Sequence, residues 1–479
     1  MTAATTRRAR ATVRTALGNG TGRLATTVAS RIVDDVARRG WKVGEVIGTE
    51  AEMLERYGCS RAVLREAIRL IEHHHVARMR QGPGGGLVVT EPDVDAIIDA
   101  AVVYLLRCDA RLDEVFEARL IVEDLAMSVA PSRLDEADIE RIRQLVADEE
   151  AGHNVDPRGL HSLVAAVSKN PALELFVDLL SRLTVFFFSS MSEISEPTLG
   201  ASGHAHRRIA EAVVAGDPGT ARRRMEAHLR AEADFIRQRR GTQQELNPSL
   251  AIHDWRGSKR GQSTAREIFG RIIEEGIPPG TLLGFEADLM QTYGTGRAAV
   301  REAIRILEHH QIAVMRRGQY GGLFVVEADV GAMCELVALH LERHAVEPAH
   351  LAELRVGIEL AMVDLVIDRW TSESAGRLHD ALLAEQAATK DQMVEVVHDL
   401  HAVMAALSGN RVLELLARTL IRLSRAHRGG GSSRLTKAMR EEIHRTHAGI
   451  VDALVDGDRD LARTRLRAHL ANLTDPALR

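Results

Sequence analysis

Between Ser60 and Glu72 the apolar residues Leu64, Ala67, Ile68 and Ile71 recur three and four positions apart, which places them on one stripe of a helix. Arg61, Ala62, Arg65 and Arg69 fall on the opposite side, and Ser60 is a good N-cap. Upstream, Thr49 and Glu52 have capping-box spacing, Met53 and Leu54 give an apolar face, and Gly58 supplies a turn. The pattern predicts two short helices joined tightly, the second with arginines on its free face. That is helix-turn-helix geometry, in which the start of the second helix enters the DNA major groove. Downstream, the apolar runs Val76–Arg80 and Leu87–Thr90 flank the glycine-rich Gln81–Gly86 and predict a β-hairpin.

The same succession returns 236 residues later. Gly296–Glu308 repeats Ser60–Glu72, with Arg297 for Arg61, Ala298 for Ala62 and Arg301 for Arg65. Ile312–Arg316 and Leu323–Val326 flank a second tip, Arg317–Gly322. Helix-turn-helix plus hairpin is a winged helix, so the chain is expected to hold two. From Val94 to Arg240 the apolar positions keep helical spacing throughout, over Val115–Ala130, Glu136–Gly152, Leu160–Ser168, Ala172–Met191, His206–Ala215 and Gly219–Arg239. The fold class is therefore mainly α: two winged helix-turn-helix domains, each followed by an all-α bundle. The expected order is an arm over 1–20, winged domain 21–92, helical domain 93–240, polar linker 241–262, winged domain 263–328 and helical domain 329–475.

Composition changes this picture little, but charge sharpens it. The net charge is −5, which argues against a protein that coats nucleic acid through a generally basic surface. The positive charge is local. Residues 60–80 carry Arg61, Arg65, Arg69, Arg78 and Arg80 against Glu66 and Glu72, and residues 297–317 carry an equivalent set. A basic patch on a mildly acidic body suits a specific DNA binder. Cys59, Cys108 and Cys334 cannot form a fully paired disulfide set and match no zinc spacing, so they read as reduced cytoplasmic thiols. Met1–Arg14 lacks an apolar signal core, and no run is long enough to span a membrane.

Together, the winged helix, the segment from Ser60 to Val89 and the helical domain resemble the GntR family of bacterial transcription regulators. The resemblance is narrower to its FadR-like subfamily, whose helical module is called the FCD domain. Supporting marks are the pairs Arg119/Glu123 and Arg355/Glu359, the segments Ser168–Pro171 and Ser408–Arg411, and the turns Gly216-Asp217 and Gly457-Asp458. The resemblance implies that DNA is contacted by Ser60, Arg61, Ala62, Arg65 and the tip at Gln81 and Gly82, and by Gly296, Arg297, Ala298, Arg301 and the tip at Arg317 and Gly318. Arginine suits guanine, because its fork matches O6 and N7. Where the family often has an arginine before the turn, this chain has Ala51 and Ala287. Family members usually carry one such unit and dimerise on DNA. Two units in one chain imply a covalent pseudo-dimer on one operator, able to pair further as a homodimer.

In the helical modules, His161, His206 and His228 lie on three predicted helices with apolar neighbours on their faces, and His401, His447 and His469 repeat them. One inward histidine is usually a hydrogen-bonded core residue; three, present twice, point equally to a divalent ion such as zinc or nickel. Metal-binding FCD domains add an aspartate four residues before the first histidine. Here those positions are Pro157 and Val397, with Asp156 one residue off, so a weakened site is expected, better in the first half. The resemblance also makes Arg119 and Arg355 candidates to hold an organic acid effector, against a structural pairing with Glu123 and Glu359. His73–His75 and His309–His310 read as helix-end histidines.

The leading expectation is a DNA-binding regulator, a repressor in sign, released or tightened by a small carboxylate, and not an enzyme. The alternatives are a metal-dependent enzyme using the histidines, for which His444 and His447 are the one HxxH pair, and a structural DNA-bridging protein without effector control.

Overall fold

The computed structural model describes residues 23–73, 76–80, 82, 84–90, 94–153, 158–189, 196–240, 258–316, 318, 321–328, 330–344, 346–388, 399–427 and 436–474. The architecture is mainly helical with two small sheets, as the apolar spacing predicts. The arm over 1–20, most of the linker, and Gln81, Asp156, Pro157, Arg317 and Val397 lie outside the described residues.

The first winged domain runs α1 (Arg23–Arg38), β1 (Val46–Gly48), α2 (Glu50–Tyr57), α3 (Arg61–His73), β2 (Ala77–Arg80) and β3 (Gly86–Val89). Its apolar stripes meet in one core, in which Leu64, Ala67, Ile68 and Ile71 of α3 are buried with Ile32 and Val36 of α1 and Met53 of α2. The strands form an antiparallel sheet ordered β1-β3-β2, with Arg80 opposite Gly86 at the hairpin end. Gly58 ends α2 in the left-handed conformation, φ 60°, and its amide donates to Leu54 O at 3.0 Å. The predicted hairpin is therefore extended by a third strand, β1, which pairs with β3.

The helices α4 (Val94–Arg107), α5 (Leu112–Val129), α6 (Glu136–Glu150), α7 (Gly159–Val167), α8 (Pro171–Ser189), α9 (Glu196–Val214) and α10 (Pro218–Arg240) make the first helical module. Helix α9 starts well before the expected His206, because Glu196–Ala205 is too polar and glycine-containing to show a clean apolar period.

The second winged domain repeats the first: α11 (Lys259–Glu274), β4 (Leu282–Gly284), α12 (Glu286–Thr292), α13 (Arg297–His309), β5 (Ala313–Arg316) and β6 (Gly322–Val325), with sheet order β4-β6-β5. Ser258 caps α11, so Lys259–Gln262 belong to this helix and not to the linker read over 241–262. The second module comprises α14 (Val330–Arg343), α15 (Pro348–Asp368), α16 (Ser374–Ala387), α17 (Asp399–Leu407), α18 (Arg411–His427), α19 (Lys437–Val455) and α20 (Arg459–Thr474).

Two compact units divide the chain, and they do not follow the sequence halves. One comprises Met1–Asp93, Lys169–Phe176 and Cys334–Arg479; the other comprises Val94–Ser168 and Val177–Met333. Each winged domain thus groups with the helical module of the other half. Inside the second of these units, Arg107 Nη1 donates to Gln311 O at 3.0 Å, tying α4 to the second winged domain. Inside the first, Asn170 Nδ2 donates to His350 O at 3.0 Å and to Glu353 Oε2 at 2.9 Å. A repeat read along the sequence cannot reveal this exchange, because apolar spacing marks the elements of each copy and not their long-range partners.

The sheets depend on two glycines. Gly86 holds φ 149°, and a Cβ there would stand 2.5 Å from Gly48 O, a backbone atom pinned by the β1–β3 ladder. At Gly322, φ 115°, the nearest atom is Leu282 Cδ1, the end of a flexible side chain. Gly86→Ala should therefore destabilise its winged domain by about 1–3 kcal/mol and Gly322→Ala by less, roughly 1 kcal/mol. Urea unfolding of the two variants beside the parent measures this; equal losses would show that the Gly48 carbonyl is free to yield.

Candidate nucleic-acid interface and metal centres

Helix α3 buries its apolar stripe and leaves Arg61, Ala62, Arg65 and Arg69 exposed. Its N-terminus is capped by Ser60, whose Oγ accepts from Val63 N at 3.3 Å. The helix before it has a complete capping box: Thr49 N donates to Glu52 Oε2 at 2.8 Å, and Glu52 N to Thr49 Oγ1 at 3.3 Å. In the second copy Gly296 offers no side-chain cap to α13. Only half a box survives there, Phe285 N to Asp288 Oδ2 at 2.9 Å, since phenylalanine has no acceptor. Gly82 and Gly318 are exposed at the hairpin tips with φ of 99° and 105°. Arg80 Nη2 donates to Gly84 O at 2.9 Å, while the Arg316 guanidinium stands 4.5 Å above the Phe324 ring.

One feature of both recognition helices escapes a pattern reading. Arg65 Nε lies 3.3 Å from Glu50 Oε1, and Arg301 Nε donates to Glu286 Oε1 at 3.0 Å. Glu50 and Glu286 are the first residues of α2 and α12, so the preceding helix holds the arginine that the family resemblance assigns to base reading. An exposed pair of this kind is worth at most about 1 kcal/mol, and DNA can open it. The signal was present as the shared 236-residue offset, but an acidic residue in a first helical turn already has a reason to be there, the helix dipole.

In each helical module the three expected histidines converge. His161 on α7, His206 on α9 and His228 on α10 bring one ring nitrogen each within 4.8 Å of the others, and so do His401 on α17, His447 on α19 and His469 on α20. His228 Nε2 lies 3.3 Å from both His161 Nε2 and His206 Nε2. His447 Nε2 lies 3.1 Å from His469 Nε2. The two clusters are alike, and their geometry gives no ground for preferring the first.

Carboxylates hold the outer nitrogens. His161 Nδ1 is hydrogen-bonded to Glu123 Oε2, and His206 Nδ1 donates to Glu149 Oε2 at 3.0 Å. His401 Nδ1 donates to Glu359 Oε2 at 2.6 Å, and His447 Nδ1 to Glu385 Oε2 at 2.5 Å. An imidazole that donates through Nδ1 has a lone pair on Nε2. His228 can donate to one facing nitrogen at most, so at least one of the two facing lone pairs in the first cluster receives no proton from it. Three nitrogens bound to one tetrahedral ion at about 2.1 Å stand roughly 3.4 Å apart, close to the spacing seen. The donor set fits a divalent ion, and the glutamates orient it as outer-shell carboxylates do. Sequence reading missed Glu149 and Glu385, and the hold of Glu123 and Glu359 on the histidines, because each acid lies on a different helix from the histidine that it holds.

Arg119 and Arg355 join these networks. Arg119 is buried and donates from Nε to Glu123 Oε1 at 2.6 Å and from Nη1 to Glu232 Oε2 at 2.7 Å and Thr184 Oγ1 at 3.1 Å. Of the two readings made of it, a pairing with Glu123 and a hand for an organic acid, the pairing is present; Nη2 lies 3.3 Å from His161 Nδ1 and is held by no acid among the described residues. Arg355 is hydrogen-bonded from Nε to Glu359 Oε1, and its Nη2 is buried with no partner. His309 and His310 close α13, and among the described residues they join neither cluster. His444 donates from Nδ1 to Glu385 Oε1 at 3.1 Å, which accounts for the HxxH pair as a second ring on one glutamate.

Burial opposes the charge on Glu123, but Arg119 and His161 more than offset it and leave the carboxyl at about 2; Arg355 and His401 do the same for Glu359, also about 2. Burial lowers His401 to about 4 despite Glu359 beside it, and burial with the two neighbouring imidazoles pushes His228 well down. Each shift favours the form the fold holds. His401 titrates near 6.5 when unfolded, so its contribution to the metal-free protein is complete above 6.5 and is lost as pH falls toward 4. The contributions of Glu123 and Glu359 are complete above about 4.5 and are lost as pH falls toward 2. The thermal midpoint of chelator-treated protein should fall steadily from pH 7 to 4 and further below it. A midpoint that is flat from pH 6.5 to 4.5 would mean that His401 takes a proton as readily folded as unfolded.

Comparison with known proteins places this geometry. The profile of the FCD domain matches residues 114–231 and 350–472, together just over half of the chain. The HTH-type transcriptional repressor NanR of Salmonella newport is 25% identical over 230 residues, which span 45% of this chain and 88% of that protein. NanR of Salmonella typhimurium matches at 25% over 230 residues, 45% of this chain and 87% of its own. The solved structure of a Streptococcus agalactiae GntR protein is similar over 44% of this chain and 99% of its own, at 22% identity and a TM-score of 0.31. No helix among the described residues is long and apolar enough to cross a membrane. With the domain present twice, the chain belongs to the FCD-domain regulators of the GntR family, which are DNA-binding transcription regulators and not enzymes.

Proposed function

We propose that this regulator acts as a repressor in the bacterial cytoplasm, using both of its winged domains on one near-palindromic operator, as a pseudo-dimer within one chain. The observation that carries the reading is the pair of capped or ordered helices α3 and α13, each with Arg-Ala-x-x-Arg on its exposed face. Arg61, Arg65, Arg297 and Arg301 would reach base edges, Ser60 a phosphate, and Gly82 and Gly318 would let the hairpin tips approach the backbone closely. The relatives named as repressors support the sign of control.

In this reading the helical modules sense a small carboxylate with a divalent ion, zinc or nickel by its imidazole ligands, held by His161, His206 and His228 and by His401, His447 and His469. The ion would supply a fixed positive charge beside buried arginine. Effector binding would then shift the presentation of the winged domains, to which affinity for two half-sites is sensitive.

Two measurements test this. Arg65→Ala and Arg301→Ala should each weaken specific binding by about 1–3 kcal/mol and relax one base position in one half-site. The operator for that footprint comes from selection of bound genomic fragments; unchanged specificity in both variants would remove α3 and α13 as the reading helices. Protein purified without chelator should hold a divalent ion by elemental analysis, and His206→Ala together with His447→Ala should lose it. A metal-free protein in which both substitutions leave stability and DNA binding unchanged would make the clusters core histidines.

A further inference from the structure

The two helical modules differ in what stands beside the buried arginine of the first. Aligned on Gly216-Asp217 and Gly457-Asp458, and on His228 and His469, Glu232 of α10 corresponds to Leu473 of α20. Glu232 is the second carboxylate on Arg119, at 2.7 Å. Among the described residues no acid takes its place on Arg355, and Arg355 Nη2, the counterpart of the Arg119 nitrogen that lies 3.3 Å from His161 Nδ1, is buried and unpartnered. Thr184, which also accepts from Arg119, corresponds to Ser424; both hydroxyls donate to the carbonyl four residues back, Leu180 O at 3.0 Å and Leu420 O at 2.8 Å, so this hydroxyl does not distinguish the modules.

The consequence is a difference in charge. With neutral imidazoles, the first site sets Glu123, Glu149 and Glu232 against Arg119, a balance of −2. The second sets Glu359 and Glu385 against Arg355, a balance of −1. A divalent cation neutralises the first and leaves the second at +1. A buried net charge is expensive unless it is paired. The cheapest complement is one monovalent oxyanion with a planar fork that suits a guanidinium edge.

Resting on the metal reading above, we propose that the modules divide the labour: the second is the receptor for a carboxylate, through Arg355 and the ion on His401, His447 and His469, while Glu232 acts as a built-in carboxylate that closes the first. The first module is then a structural metal centre and the second the sensing one. Glu359 joins Arg355 Nε and His401 Nδ1 through its two oxygens, so an anion on the guanidinium edge lies within the field of the ion. The chain would respond to one anion and not to two.

The test loads the full, chelator-stripped chain with cobalt(II), whose visible absorption reports changes at the ion, and titrates it with acetate. Bound acetate should perturb about half of the cobalt absorption, the share of one site of two. Leu473→Glu should supply the missing carboxylate and weaken acetate at least about tenfold. Glu232→Gln, which keeps the shape and removes the charge, should bring the other half of the absorption into the titration. Cobalt bound at both sites with both or neither responding in the parent overturns the division of labour and leaves the metal reading standing. An acetate affinity that stays within roughly threefold in Leu473→Glu overturns it too, independently of whether Glu232→Gln folds. Failure of either cluster to take up cobalt overturns the metal reading and the inference with it.

Discussion

A buried chain of charge, arginine to glutamate to histidine, sets the terms for each helical module. Arg119, Glu123 and His161 are all nearly inaccessible, and so are Arg355, Glu359 and His401. Removing three ionisable groups from water is costly unless each is paired and hydrogen-bonded. The arginine and glutamate sit one turn apart on one helix, α5 or α15, and the histidine comes from α7 or α17. The network therefore fixes the register of two helices against each other. It also fixes the tautomer of the histidine, because the glutamate takes the Nδ1 proton and turns Nε2 inward. The inward turn of that imidazole is a consequence of satisfying the arginine.

The winged domains meet a different constraint. Their cores are apolar and complete, and the chemistry is left on the surface: arginines on the exposed faces of α3 and α13, glycines at the hairpin tips. Even there the side chains are not idle. Glu50 and Glu286 hold Arg65 and Arg301 from the preceding helix, which limits the conformations that must be given up when DNA binds. The pairing costs little to open because both partners are exposed. Buried charge in the modules and exposed charge in the winged domains thus serve opposite ends, one to lock geometry and one to remain exchangeable.

Duplication lets the two copies drift apart. The copies keep apolar character at core positions, as at Leu64 and Val300, and keep the buried histidine at His206 and His447. They diverge where the consequence is electrostatic or local: Ser60 against Gly296, Thr49 against Phe285, Glu232 against Leu473. A single-copy regulator that dimerises cannot do this, since each substitution falls on both subunits. Joining the copies in one chain removes that restriction, and the unequal arginine networks are the clearest use made of it.

Much of the protein is legible in the residue order because its determinants are local. Apolar spacing assigns the helices, the 236-residue repeat reveals two copies, and arginines on the free side of an amphipathic stripe mark the recognition helices before any contact is known. The histidines announce themselves by recurring on apolar faces. Tertiary structure alone decided what surrounds them. Glu149 holding His206, Glu232 closing Arg119 and Glu50 holding Arg65 join residues distant in sequence, and an acid on a helix looks the same whether it faces solvent or a buried imidazole. The grouping of each winged domain with the other copy's helical module was invisible for a related reason: the repeat shows that two copies exist, while which copy's module a winged domain groups with is a long-range choice that no local spacing encodes.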